Sequence, residues 1–169
     1  MMNKNLSRNL LIVSALVASL FGGLSFYFAS QDYKADSVIF NTSKDIALNG
    51  YDTVSYFTDK VAARGTPDYQ ADWAGSTWYF TNSKNRDLFV AKPANYAPQY
   101  GGYDPVGVSK GYTNPTDPEV YTVVAGRLYL HYSEPFREFW DEDRGTNIVL
   151  ANSNWAFLRD KLLKMQEAE

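Results

Sequence analysis

The sequence has no cysteine. Disulfides, zinc knuckles, iron–sulfur clusters, thiolate nucleophiles and covalent haem attachment are excluded together. It has a single histidine, His131, so one chain cannot build a multi-histidine metal centre. It also lacks an excess of positive charge. Sixteen Lys and Arg against 19 Asp and Glu leave a net −3, which argues against a phosphate-backbone binder and against nucleic acid as a partner. What it has in excess is aromatic side chains, 16% of 169 residues, with 13 Tyr, 10 Phe and four Trp. The length suits one domain with a core that is sufficient without disulfides.

The amino-terminal stretch differs from the rest. Lys4 and Arg8 precede Leu10–Ala29, twenty residues without a charge. A helix of that length spans about 30 Å, the thickness of a bilayer's hydrocarbon core. Basic residues before the run place the amino terminus in the cytoplasm and the remainder outside. A signal peptide cut after Ala29 would put bulky Tyr27 at the outer recognition position, whereas a cut after Ser25 would put Gly23 there. The unbroken length and the aromatic tail favour an uncleaved anchor, with a cleaved signal as the alternative. The expected organisation is an anchor or signal over 1–29, a polar tether over 30–45 and a globular domain over 46–169. The chain is then inner-membrane anchored and faces the periplasm, or is periplasmic or secreted after cleavage.

Two stretches of the globular part look alike. YQADW, the turn Ala74-Gly75, STWYFTN and a helical pattern from Ser83 are matched by EVYTVV, Ala125-Gly126, RLYLHY and a helical pattern from Ser133. Each reads as strand, glycine turn, aromatic strand, serine N-cap and amphipathic helix. Registering Ser83 on Ser133 places Trp78 on Leu128, Phe80 on Leu130, Phe89 on Phe139 and Thr81 on His131. Between the units, Tyr96–Asp117 is rich in Gly, Pro and Tyr; it reads as extended strand and ordered loop without helix. Residues 152–169 read as a final helix with Trp155, Leu158, Leu162 and Met165 on one face. The fold class is α+β: one twisted antiparallel sheet from two ββα units, plus a carboxy-terminal helix.

Few motifs carry chemistry. GVSKG at 107–111 matches a hydrolase nucleophile elbow, but that elbow needs a helix after the serine, which Gly111, Asn114 and Pro115 forbid. Glu134, Glu138 and Glu142, at four-residue spacing on a helix, read as a solvated face. Strand alternation puts Leu128 and Leu130 on one face, Tyr129 and His131 on the other, so His131 reads as half-buried. Asp52 follows a short apolar run and opens a turn.

GYDTVSYF (50–57), TWYFTNSKNRDLFVAKPANYAPQYGGY (77–103), DPEVYTVVAGRLYLHYS (117–133) and ANSNW (151–155) resemble the exported branch of the YHS-domain family. The resemblance covers about Ile46–Leu158. It implies metal binding through three cysteines, which carry over onto Ser55, Thr81 and Asn85. It also puts Asp104 where that branch commonly has cysteine, and His131 where it has asparagine. The candidate ligands for a divalent metal ion are therefore His131, Asp104 and Asp52, with Tyr56 and Tyr103 as pocket candidates. Three functions follow. The first is a non-catalytic exported binding module for a metal ion or small ligand, marked by a pocket around Tyr56, Tyr103, Asp104 and His131. The second is an interaction domain with an envelope protein partner, marked by an exposed aromatic patch. The third is an enzyme, marked by a perturbed titratable group in a cleft.

Overall fold

A computed structural model describes residues 46–166 and 168. The apolar run over 10–29 and the polar stretch over 30–45 lie outside the described residues. Among the described residues no helix is long and apolar enough to cross a membrane.

The chain makes the same unit twice. The first runs from a 3-10 turn at Ala47–Gly50 through α1 (Ser55–Thr58), β1 (Thr66–Trp73) and β2 (Ser76–Phe80) to α2 (Ser83–Ala91). The second runs from Gln99–Gly102 through α3 (Pro105–Ser109), β3 (Asp117–Val124) and β4 (Arg127–His131) to α4 (Glu134–Glu142), and α5 (Arg144–Gln166) follows. Both hairpins pair with one register. Thr66↔Phe80 and Trp73↔Ser76 become Asp117↔His131 and Val124↔Arg127, with an irregularity at the same place in each.

That register lies one residue from the expected one. Asn82 is the N-cap of α2 and its side chain accepts from the Asn85 amide; Ser83 is already helical. Ser133 is the N-cap of α4 but makes no side-chain cap bond. Aligning the two serines therefore set a first helical residue on a cap. In the structure Trp78 corresponds to Tyr129, Phe80 to His131, Thr81 to Tyr132 and Phe89 to Trp140. Aromatic packing follows: Trp78–Phe89 and Tyr129–Trp140 have ring centroids 4.8 and 4.9 Å apart.

The expected single sheet is not formed; each hairpin is its own two-stranded sheet. The chain entering each unit takes the place that a further strand would need. Ile46 bridges Thr77 of β2, and Pro98 bridges Leu128 of β4, both in parallel. Nor is Tyr96–Asp117 free of helix, since Asp104 caps α3 and Pro105 sits in its first turn, where a missing amide costs nothing. The last helix begins at Arg144, ahead of the expected start.

β4 is the shared wall of two cores. Leu128 and Leu130 enter a cluster with Val54, Tyr56, Trp78, Phe80 and Phe89. Tyr129 faces a second cluster with Tyr100, Val106, Val108, Trp140 and Leu158. The alternation read from LYLH thus holds, but both faces are covered, so His131 is fully buried and not half-buried. Tyr56 also crosses between units, donating to the Pro118 carbonyl at 2.9 Å.

Each hairpin turns through two residues of positive φ, Ala74-Gly75 (51° and 78°) and Ala125-Gly126 (50° and 71°). This handedness matches strand twist, yet alanine adopts it at a cost that asparagine largely escapes. Ala125→Asn, at an exposed tip, should stabilise the domain by about 0.5–1 kcal/mol. A thermal melt raised by a few degrees checks this.

Candidate functional site

Each unit pivots on Gly-Tyr-Asp, at 50–52 and again at 102–104. The preceding turns are left-handed at matched positions: Leu48, Asn49 and Gly50 in one, Tyr100, Gly101 and Gly102 in the other. The reversal delivers an aspartate to the start of a short helix. One carboxylate oxygen accepts from that helix's first amides. Asp52 Oδ1 takes the Val54 and Ser55 amides at 2.9 and 3.3 Å. Asp104 Oδ2 takes the Gly107 amide at 2.8 Å. The other oxygen reaches the amide just past the hairpin, Thr81 at 2.8 Å from Asp52 and Tyr132 at 3.3 Å from Asp104. Both aspartates are completely buried.

The two carboxylates are satisfied differently. Asp52 Oδ2 also accepts from Thr81 Oγ1 at 2.8 Å and Asn85 Nδ2 at 2.7 Å. Five donors meet two oxygens, which fills the acceptor capacity of a carboxylate and leaves nothing for a metal ion. Ser55, Thr81 and Asn85, onto which the family resemblance carries cysteines, all contact this one carboxylate. In the second unit Thr81 is replaced by Tyr132 and Asn85 by Phe136. These rings pack edge to face, 5.1 Å apart, and give Asp104 no side-chain donor in those places.

His131 stands next to that impoverished carboxylate. Its ring lies 5.2 Å from Trp140, matching the 5.1 Å between Phe80 and Phe89. Nε2 meets Thr122 Oγ1 at 3.1 Å. Nδ1 lies 4.0 Å from Asp104 Oδ1, too far for a hydrogen bond, and has no partner. Burial lowers the imidazole pKa to about 4, with Asp141 opposing and Arg137 and Arg144 reinforcing the shift. Burial also pushes the Asp104 carboxyl up, against the amides of Gly107, Tyr132 and Val106 and the charge of Lys110.

Of the metal candidates, then, His131 and Asp104 are brought together, while Asp52 is engaged in the other unit. Among the described residues no group of three or more His, Asp or Glu is arranged to hold a metal ion. The pocket candidates do not converge either. Tyr56 is buried in the first core, whereas Tyr103 packs on Trp155 beside the second. Ser109 ends α3, donating to the Val106 carbonyl, so no strand–serine–helix elbow exists. The signal in the sequence that marks the site is the repeated Gly-Tyr-Asp, which stands one residue out of the hairpin register and is legible as a motif ahead of each hairpin.

Removing Asp52 orphans more buried donors than removing Asp104. Asp52→Ala should cost about 3–4 kcal/mol and Asp104→Ala about 2. Urea unfolding of the two variants gives the order directly.

No protein-family model matches the chain, and comparisons with the curated proteins and with the solved structures find no match.

Proposed function

We propose that the chain is a non-catalytic, exported binding module that engages an envelope protein through the outer face of α5. The supporting observation is Phe157. It is 73% exposed, on a face shared with Leu150 at 46% and Val149 at 58%. Residues 150 and 157 are seven apart and so stack on one side of the helix. Phe157 contributes little to the core at such exposure, and water solvates a phenyl ring poorly. The alternative mark, a small-ligand pocket, has weaker support. Asp104 and His131 have no exposed surface, and Tyr56 spends its hydroxyl on Pro118.

The same face sets the kind of partner. Lys161 and Lys164 follow the apolar residues along α5 and are exposed. An apolar surface flanked by acidic groups complements it. The opposite side of α5 is occupied, with Ala151 and Leu158 in the second core. Asn154 donates to the Val108 and Ser109 carbonyls at 3.0 and 2.9 Å, which fixes α5 against α3. The outer face is therefore presented by a helix that is held rigid.

A photo-crosslinking residue at position 157 of the full chain, in its native membrane, should give one discrete protein adduct. The same probe at Asp87, on α2 of the first unit and 66% exposed, should give none. No adduct from a folded chain contradicts the reading. Phe157→Lys should leave stability within about 0.5 kcal/mol, as for most surface changes, and should abolish partner retention.

A further inference from the structure

The second unit holds an imidazole where the first holds a phenyl ring. We infer that this exchange makes the second unit an acid-operated latch, in which a proton taken up at His131 loosens the seat of the β3–β4 hairpin on α3, α4 and α5 while the first unit stays closed. The inference stands whether or not the outer face of α5 has a partner.

The geometry leaves a protonated ring badly placed. An imidazolium donates from both nitrogens. Nε2 has the Thr122 hydroxyl, which can rotate to accept. Nδ1 has only Asp104 Oδ1, 4.0 Å away. Shortening that gap to hydrogen-bond length draws the carboxylate off the Tyr132 amide, or off the Gly107 amide that caps α3. The first bond anchors the hairpin's end to the turn, and the second fixes the turn to the start of α3. The surroundings do not rescue the cation. From α4 it is faced by Arg137 and Asp141, and at the start of α5 by Arg144. From β3 it meets uncharged Thr122, and its strand partner is Asp117. Lys110, at the end of α3, acts on Asp104. Trp140 covers the ring, with its own Nε1 buried and unpartnered.

The first unit has nothing comparable. Phe80 cannot titrate, and Asp52 accepts from Thr81 and Asn85 in a closed set. Loosening therefore begins in the half that contains His131, while the Asp52 site has no titrating ring to open it. From there it passes on through α3, because Ser109 Oγ contacts Asn147 of α5 at 3.4 Å and Asn154 holds the α3 carbonyls.

The sign follows from linkage. A folded pKa near 4 against about 6.5 in the unfolded chain means that the unfolded state binds more protons between those values. The His131 contribution is present above about pH 6.5 and is lost as pH falls toward 4. Asp104 runs the other way: its raised folded value adds stability only at low pH, and this is lost as pH rises through it. A change at position 131 isolates the histidine term.

The test compares the full chain in detergent with His131→Phe, which installs the first unit's residue, and His131→Gln, which is polar and does not titrate. Urea unfolding at pH 7 and pH 4 should show the wild-type unfolding constant rising about 100-fold more than that of either variant. At pH 5 limited proteolysis should cut wild type within 98–143 before 46–92, and should lose that preference in the variants. Should His131→Phe fail to fold, His131→Gln carries the comparison. Equal acid sensitivity in wild type and a folded variant, or first cleavage in 46–92, overturns the inference.

Discussion

The carboxylate of each Gly-Tyr-Asp turn is the interaction on which the rest depends. It is a single buried anion with two jobs: to cap the short helix that follows and to tie down the amide just beyond a hairpin far along the chain. A buried charge without partners is costly, so the turn, the helix start and the hairpin end must form together. Removing any one of them strands the others. This accounts for the left-handed backbone at Leu48 and Tyr100, a strained conformation for large side chains. It also explains why two small hairpins, each marginal alone, suffice as scaffolding.

Duplication gives the molecule a way to differ from itself. The first unit spends Thr81 and Asn85 on its aspartate and closes the site. The second gives those positions to Tyr132 and Phe136, gains a ring pair, and leaves Asp104 with backbone donors and a nearby imidazole. The aromatic framework beneath is unchanged, since His131 lies against Trp140 as Phe80 lies against Phe89. The polar chemistry of the two units therefore differs on a shared packing geometry within one chain. β4 is where the halves meet, with leucines toward one core and Tyr129 and His131 toward the other.

Much of this was legible in the sequence, and the exceptions have physical causes. Hairpins were marked by Ala-Gly between aromatic strands, and the orientation of LYLH followed from two-residue alternation. The depth of His131 did not, because alternation says which face a residue takes and not whether that face is covered. The register slipped by one because Ser83 and Ser133 look alike yet occupy different helix positions; asparagine at 82 is the cap. The single sheet was expected because hairpins present free edges. Short parallel bridges from Ile46 and Pro98 occupy part of those edges, and such bridges leave no periodic trace. The α3 helix was masked by glycine and proline around it, although Asp104-Pro105 is itself a helix-start signal. Asp104 and His131 lie far apart in the sequence, and no local pattern gives a reason for them to meet. The reason is the repeated tripeptide, which gives His131 a turn aspartate of its own.

Amide hydrogen exchange at Thr81 and Tyr132 tests the central claim most directly. These backbone groups bind the two buried carboxylates, and neither belongs to a strand. The account predicts that both exchange far more slowly than the hairpin tips at Gly75 and Gly126, with Tyr132 the faster of the two because its bond is longer and its aspartate less fully held. Exchange of either at the rate of the tips, or Tyr132 outlasting Thr81, would contradict it.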